Sequence, residues 1–473
     1  MKRYERFAAE ISNLIRTGIL APGERVPSVR QASKAHGISP STVFQAYYLL
    51  ENQGLISARP RSGYFVRDNA SRILDEPHVA LQQQAPSDVA VSELVFSVLG
   101  SLRDNDTVPF GSAFPSPELF PLARLATSMT RGLRQLSSHA VISDMTTGHP
   151  DLCRQIAQRY MVNGMQLPTE ELVITNGAME ALNLGLQCVT QPGDLVAIEA
   201  PAFYATLQVL ERLKLRAVEI PVHPRDGIDL EVLENRLETL PIKACWFMSH
   251  LQNPLGASLS DARKAELYAL LCRHQLPMLE DDVYAELYFD QRAEVSPPQP
   301  VKALDVEGLV MHCGSFSKCL APGYRVGWIS AGRHTREISR LKLMTTISPS
   351  LPAQVALADY LQHGGYDRHL RKLRLALETQ QTAMLAAIDR YFPEDTRVTH
   401  PHGGYFLWCE LPEHIDSLAL FQQALAHGIS LAPGPIFSAT QGFKHCIRLS
   451  YGHPWDAASE RAMQTLGELL KAA

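Results

Sequence analysis

No stretch of the sequence stays apolar for the roughly 18–20 residues that a membrane-spanning helix needs, so no membrane span is expected. No secretory leader is expected either, because Lys2-Arg3 is followed by amphipathic spacing and not by an apolar stretch. The eight cysteines, at 153, 188, 245, 272, 313, 319, 409 and 446, include no Cys-x-x-Cys pair. That spacing speaks against a disulfide framework and against a zinc site; no metal is expected, and the thiols read as buried groups in a reducing cytoplasm. Internal repeats and long low-complexity tracts are absent. There is no overall excess of positive charge either: the formal net charge is −5, which taken alone argues against a nucleic-acid partner. What remains is ordinary globular usage, 45% hydrophobic and 20% charged, in 473 residues. That length suits about three domains, or one large α/β unit with a small one.

The charge is unevenly spread. Residues 1–67 hold ten Lys/Arg and four Asp/Glu, a net of +6, which leaves −11 on the other 406. A basic segment joined to an acidic partner is the electrostatic footprint of a small DNA-binding domain. Its spacing predicts a helix over Tyr4–Thr17, with Phe7, Ile11, Leu14 and Ile15 on one face and Gly18 as the stop. After a turn at Ala21–Arg25, Ser28 is placed to cap a short helix that Gly37 ends. Ser39-Pro40-Ser41-Thr42 opens a third helix to about Gln53, with Val43, Ala46, Tyr47 and Leu50 facing inward. Leu55–Ala58 and Gly63–Val66 read as short strands around Arg59-Pro60-Arg61-Ser62. Helix, helix, tight turn, helix, hairpin is the order of a winged helix-turn-helix. In that order the third helix enters the major groove, with Ser39, Ser41, Thr42 and Gln45 near base edges or phosphates. Arg30 would meet phosphate from the preceding helix, and Arg59 and Arg61 the backbone or minor groove from the wing. The plainer alternative is a helical packing domain with a solvated polar face.

Residues 68–108 read as a linker, polar at Arg67–Ala70 and Gln82–Ser87, with helical apolar spacing over 89–102. From 109 to 473 the apolar runs Leu172–Thr175, Leu195–Glu199, Ala217–Ile220, Ala244–Met248, Met278–Glu280 and Leu309–Cys313 alternate with helical stretches. Such alternation predicts an α/β domain with a mainly parallel sheet and helices on its faces. Ligands then gather at the carboxyl ends of the strands.

The segment Ser315-Phe316-Ser317-Lys318, followed by Gly323-Tyr324-Arg325-Val326-Gly327, reads as a pyridoxal phosphate site. The lysine amine can form a Schiff base with the cofactor aldehyde, and two hydroxyls and a guanidinium can hold its phosphate. Gly323 and Gly327 would let the backbone turn closely around the anion. The backbone of Gly177, Ala178 and Met179 opens a helix suited to a phosphate, although an ordinary Asn-Gly turn reads the same way. Phe203 is placed to stack on a pyridine ring, or else to pack in the core. Asn253 can hydrogen-bond the cofactor's phenolic oxygen. A carboxylate after Met278–Glu280 would keep the ring nitrogen protonated and the ring electron-accepting. Asp281 fits because Tyr284, placed to reach the phenolic oxygen, follows three residues on, but Asp282 stays open as the alternative. Arg448, in the strand-like run Cys446–Ser450, suits a substrate carboxylate or a surface salt bridge.

Two resemblances organise these residues. Gly23-Glu24-Arg25-Val26-Pro27-Ser28-Val29-Arg30, Thr42-Val43, Ala46-Tyr47, Gly54-Leu55-Ile56 and Ser62-Gly63-Tyr64-Phe65-Val66 resemble the GntR-type winged helix. Pro40 departs from it, standing where that family usually has an arginine. Residues 110–473 resemble fold-type I pyridoxal phosphate enzymes of the aspartate aminotransferase superfamily. That resemblance implies Lys318 as the Schiff-base lysine, with Asp281 and Tyr284 as its catalytic companions. It places Ser315, Ser317 and Arg325 on phosphate, Asn253 and Tyr284 on the phenolic oxygen, and Phe203 over the ring. Arg448 would take the carboxylate, and a smaller C-terminal α+β subdomain would span about 350–473. Ser143 stands where relatives tend to have a tyrosine that reaches the neighbouring subunit's phosphate. Together with Phe110-Gly111-Ser112 and Pro115–Pro121, the two halves are similar to the MocR subfamily of bacterial regulators. The implied protein is a cytoplasmic homodimer that binds double-stranded operator DNA and pyridoxal 5'-phosphate, and senses an amino acid or amine. The competing class is a working aminotransferase that carries a DNA-binding appendage.

Overall fold

The computed structural model describes residues 3–16, 19–21, 23–52, 55–59, 63–66, 74–80, 85–101, 107–137, 147–162, 164–289 and 298–472. The chain divides into two compact units, Met1–Leu74 with Thr382–Tyr391, and Asp75–Gln381 with Phe392–Ala473.

In the first unit, α1 (Arg3–Arg16), α2 (Val29–His36) and α3 (Pro40–Asn52) precede the antiparallel strands β1 (Ile56–Arg59) and β2 (Gly63–Val66). The start of α2 is fixed by a reciprocal capping box between Ser28 and Gln31, and its end by a left-handed Gly37 at φ 60°. Pro40 opens α3, a position where a missing N–H costs nothing. The apolar stripes converge on one cluster that includes Phe7, Ile11, Val43, Tyr47, Leu50 and Val66. Tyr47 is drawn fully inside, so its hydroxyl must find an acceptor; it donates to the Pro27 carbonyl at 2.5 Å. One segment differs from the sequence reading. The turn expected around Gly23 continues into a third edge of the wing, through Gly23 N–H to Val66 O, Val66 N–H to Glu24 O and Val26 N–H to Tyr64 O.

The second unit is built on a nine-stranded mixed sheet. Its strands in chain order are β3 (Ser87–Asp88), β4 (Leu172–Thr175), β5 (Leu195–Ala200), β6 (Arg216–His223), β7 (Gly227–Ile228), β8 (Ile242–Phe247), β9 (Met278–Asp281), β10 (Val310–Ser315) and β11 (Gly327–Ser330). They lie in the order β3-β6-β5-β8-β9-β10-β11-β4, with β7 paired to β6. From β6 to β10 all neighbours are parallel, while β11 runs against both β10 and β4. β5, β9 and β10 are buried along their whole length, as apolar strands covered on both faces must be. The helix expected over 89–102 spans Ser92–Ser101, where Glu211 Oε2 accepts from Val91 N–H, Ser92 N–H and Ser92 Oγ, each at 2.9 Å.

A smaller antiparallel sheet completes this unit, with β12 (Arg397–Val398), β13 (Phe406–Glu410), β14 (Ala432–Pro433) and β15 (Cys446–Ser450) in the order β12-β13-β15-β14. The helices Ser417–Ala426 and Ala457–Ala472 accompany it, giving the α+β part. All eight cysteines are free thiols. Among the described residues, no helix is long and apolar enough to cross a membrane.

Candidate cofactor site and nucleic-acid face

Strands β9 and β10 are parallel neighbours, with Asp281 paired to Cys313, so their carboxyl ends deliver side chains into one space. β10 ends at Ser315, and the chain turns through Phe316-Ser317-Lys318. Ser315 Oγ accepts from Ser317 N–H at 3.0 Å and donates to the Val326 carbonyl at 3.2 Å. Arg325 donates through Nη1 to Ser317 Oγ at 3.2 Å and through Nη2 to the Asn176 carbonyl at 3.4 Å. The helix Ala178–Val189 begins beside them with no side-chain cap, which leaves its first N–H groups for an anion. Main chains come very close here. A Cβ on Gly327 would lie 2.5 Å from Gly177 C and 2.6 Å from Ala178 N. Gly323 does not share this crowding, since a Cβ there would meet nothing within 4 Å. The turn expected of it is made instead by Arg325, whose φ of 53° is left-handed.

Lys318 Nζ donates to the Ala113 carbonyl at 2.9 Å and lies 3.9 Å from the centre of the Phe114 ring. Burial, with Arg448 and Arg325 nearby, lowers its pKa to about 7 against the pull of Asp281. An amine held there has a large neutral, nucleophilic fraction at physiological pH. Asp281 is buried, and its Oδ1 has no hydrogen-bond partner. Burial and the adjacent Asp282 raise its pKa to about 7, again moderated by Lys318. Asp282 is fully engaged elsewhere, with His250 Nδ1 at 2.7 Å and His312 Nε2 at 2.9 Å. Burial opposes its ionisation, but the two imidazoles hold its carboxyl well below the usual carboxylate range. The chain continues from His312 Nδ1 to Tyr160 Oη at 2.8 Å, and Trp328 Nε1 donates to the same oxygen at 2.7 Å. The sequence reading missed this network, whose one local signal is a histidine inside the apolar β10.

Arg448 leaves β15 fully buried. Its Nη1 donates to Asn253 Oδ1 at 3.1 Å, and Nη2 to the carbonyls of Gly111 at 3.0 Å and Ser112 at 3.4 Å. Its Cζ sits 4.1 Å from the centre of the Phe406 ring, its Nε has no partner, and burial lowers its pKa. Full burial among neutral acceptors overturns the surface salt-bridge alternative. Asn253 Nδ2 donates to Tyr284 Oη at 3.2 Å, and burial pushes the Tyr284 phenol upward. Tyr405, another residue the sequence reading missed, donates to the same Ala113 carbonyl as Lys318, at 3.0 Å. Phe203 immediately precedes the helix Tyr204–Leu213, its ring 4.7 Å from that of Tyr204. Three demands of pyridoxal phosphate are therefore met by this chain: an amine ionising near neutrality, a buried carboxylate oxygen without a partner, and an anion cradle of hydroxyls, guanidinium and helix N-terminus.

In the first unit, Arg30 is exposed on α2, and Ser39, Ser41 and Gln45 are exposed at the start of α3, with Thr42 half-buried. Ser39 Oγ accepts from Thr42 N–H at 3.2 Å and bonds the hydroxyls of Ser41 and Thr42 at 2.8 Å each. Phe44 and Tyr48, not singled out by the sequence reading, are exposed on the same helix. Arg59 is the last residue of β1. Arg61 and Ser143 lie outside the described residues.

Comparison with known proteins matches residues 121–466 to the family model for aminotransferase class I and II, and residues 3–66 to that for bacterial regulatory proteins of the gntR family. The chain is 44% identical to the HTH-type transcriptional regulator YdcR of Escherichia coli (strain K12), over 100% of this chain and 99% of that one. It is 29% identical to aromatic-amino-acid aminotransferase 1 of Thermococcus litoralis, over 79% of this chain and 90% of that one. Among solved structures, the multiple substrate aminotransferase of Thermococcus profundus superposes with a TM-score of 0.74 at 28% identity, covering 81% of this chain and 95% of that one.

Proposed function

The chain belongs to the MocR type of GntR-family regulator, a gntR DNA-binding domain fused to an aminotransferase class I and II domain, and on that premise we propose that it is a cytoplasmic transcription regulator that binds pyridoxal phosphate and an amino compound. Residues 1–67 read operator DNA, 68–108 connect, and 109–473 sense. The observation that carries this reading is the conjunction, in one chain, of a gntR domain with an aminotransferase class I and II domain that contains Lys318, Asp281, Arg325 and Arg448.

When bound, pyridoxal phosphate supplies an aldehyde that captures amines and a ring that withdraws electrons. Lys318 holds a neutral amine ready to bond that aldehyde. Ser315, Ser317, Arg325 and the backbone turn at Gly177 bind the phosphate together with the N–H groups of Ala178 and Met179, the Gly177 N–H being spent on the Thr175 carbonyl at 2.8 Å. Asp281 accepts from the ring nitrogen and keeps its proton in place, while Asp282 is kept from that role by its two histidines. Asn253 and Tyr284 hold the phenolic oxygen, Phe203 covers the ring, and Arg448 takes a ligand carboxylate through its planar fork. Catalytic duty, where turnover occurs, falls to Lys318, Asp281 and Tyr284. A homodimer would present two winged helices to two half-sites. The ligand then alters DNA affinity by as much as its affinities for the two arrangements differ.

The test is to add amino acids and amines singly to the cofactor-loaded protein and follow its visible absorption, its oxo-acid output and its affinity for operator DNA. A lasting ligand-specific band shift with altered DNA affinity and no oxo-acid is the expected result. Catalytic oxo-acid formation would establish the aminotransferase reading instead.

A further inference from the structure

The helix that enters DNA in this fold carries no cation. Between Pro40 and Asn52 there is neither lysine nor arginine, so nothing on α3 draws it to phosphate by charge. Its buried stripe is Val43, Ala46, Tyr47 and Leu50. At about 100° per residue the opposite side carries Ser41, Phe44, Gln45 and Tyr48. Phe44 is 53% exposed and Tyr48 66% exposed. A lone exposed ring needs no explanation, but two of them one turn apart, on the reading side of a short helix, form an apolar stripe.

The hydroxyls beside them also hold one another. The hydroxyls of Ser39, Ser41 and Thr42 bond one another, and Ser39 also caps the helix at Thr42 N–H. They fix the start of α3, and the side chains beside them on the outward side are one amide and two rings. In the major groove a glutamine amide reads adenine through N6 and N7, and an apolar side chain packs on the C5-methyl of thymine. Gln45 and Phe44 are consecutive on the outward side, the placement needed to read an A·T-containing step. Phosphate attraction is left to the cations outside α3, within the net +6 of residues 1–67.

We infer that Phe44 is a specificity-determining residue that packs on a thymine methyl in each half-site, with Gln45 on a neighbouring adenine. This deepens the DNA-binding reading above and rests on it. Cofactor-loaded, full-length protein is used to select duplexes from a randomised library. The selected duplex is then compared, by fluorescence anisotropy, with copies in which single thymines are replaced by deoxyuridine, which pairs identically but lacks the methyl. At one position per half-site the loss of the methyl is expected to weaken the unmodified protein about fourfold, the value of one buried methyl group. Phe44→Ala should bind more weakly overall and be indifferent to that replacement, whereas Arg30→Ala should lose the same factor on both duplexes. Equal sensitivity of the unmodified protein and Phe44→Ala at every position overturns the role of Phe44 and leaves DNA binding intact. Failure to enrich any sequence overturns the DNA-binding reading, and this inference with it.

Discussion

Asp281 and Asp282 are consecutive and both buried, yet their protonation is driven in opposite directions: burial and the Asp282 charge raise the pKa of Asp281, whose Oδ1 has no partner, while two imidazoles hold Asp282 ionised against its own burial. The two residues therefore answer differently to the same substitution. Asp282→Asn strands His250 and His312 without their carboxylate, and breaking a buried pair of this kind costs about 3–5 kcal/mol. Asp281→Asn removes a buried charge that is only partly satisfied within the chain, so the fold should keep its stability while the grip on the pyridine nitrogen is lost. Denaturant unfolding of each variant, alongside a pyridoxal phosphate titration, separates the two; equal destabilisation would contradict the assignment.

The same site sets a pH dependence with a definite sign. Lys318 has a folded pKa of about 7 against 10.5 for the free amine. Between those values the unfolded chain binds its proton more readily, so this group makes stability rise with pH from 7 to 10.5. Asp281 has a folded value of about 7 against 3.8, so the folded state holds that proton more tightly and stability falls as pH rises from 3.8 to 7. The cofactor-free protein should show a shallow stability minimum near pH 7, which the double variant Lys318→Met/Asp281→Asn should flatten. Cofactor capture, which needs the neutral amine, should quicken about tenfold per pH unit below 7 and level off above it.

Arg448→Lys is expected to separate cofactor from ligand. A lysine keeps the charge but cannot fork between Asn253 and the Gly111 and Ser112 carbonyls. The variant should load pyridoxal phosphate with little change, and its visible band should respond to carboxylate-bearing amines only at concentrations at least about tenfold higher. Simple amines without a carboxylate serve as the control and should be unaffected.

Much of this site was legible because its signals are local. Each buried parallel strand is an apolar run, and the chemically loaded residue follows within a few positions, as Asp281 follows Met278–Glu280 and Lys318 follows Leu309–Cys313. The inward stripe of α3 was legible for the same reason, since 3.6-residue periodicity is written along the chain. What escaped is long-range. β11 is only four residues, and its reversed direction is dictated by β10 and β4, far from it in sequence or on its other side. His250, Asp282 and His312 meet only after three strands are laid side by side. The Ala113 carbonyl that receives both Lys318 and Tyr405 carries no side-chain signature at all.

On the wing, replacing Arg59 and Arg61 together by alanine should reduce operator affinity similarly across sequences. It should also lower the slope of log affinity against log salt by about one for each phosphate that the wing no longer neutralises. The measurement is binding at several salt concentrations. A changed base preference with an unchanged slope would place these arginines on base edges instead.

The sharpest test of the phosphate cradle is a pair of glycines four residues apart. Gly327 lies against the main chain of Gly177 and Ala178, so a methyl there, at 2.5–2.6 Å from backbone atoms, forces two rigid segments to move. Overpacking of this sort costs about 1–3 kcal/mol, and the displaced atoms are the ones that open the helix Ala178–Val189 toward the anion. Gly327→Ala should therefore weaken pyridoxal phosphate binding by about tenfold or more, with inorganic phosphate losing its ability to compete. Gly323→Ala meets open space and a permitted backbone conformation, and should bind cofactor like the unmodified protein. Both substitutions add the same methyl, Gly323 in the turn and Gly327 at the start of β11 four residues on; a general effect of the added methyl predicts equal losses, whereas a cradle built on close backbone approach predicts that only Gly327 is intolerant.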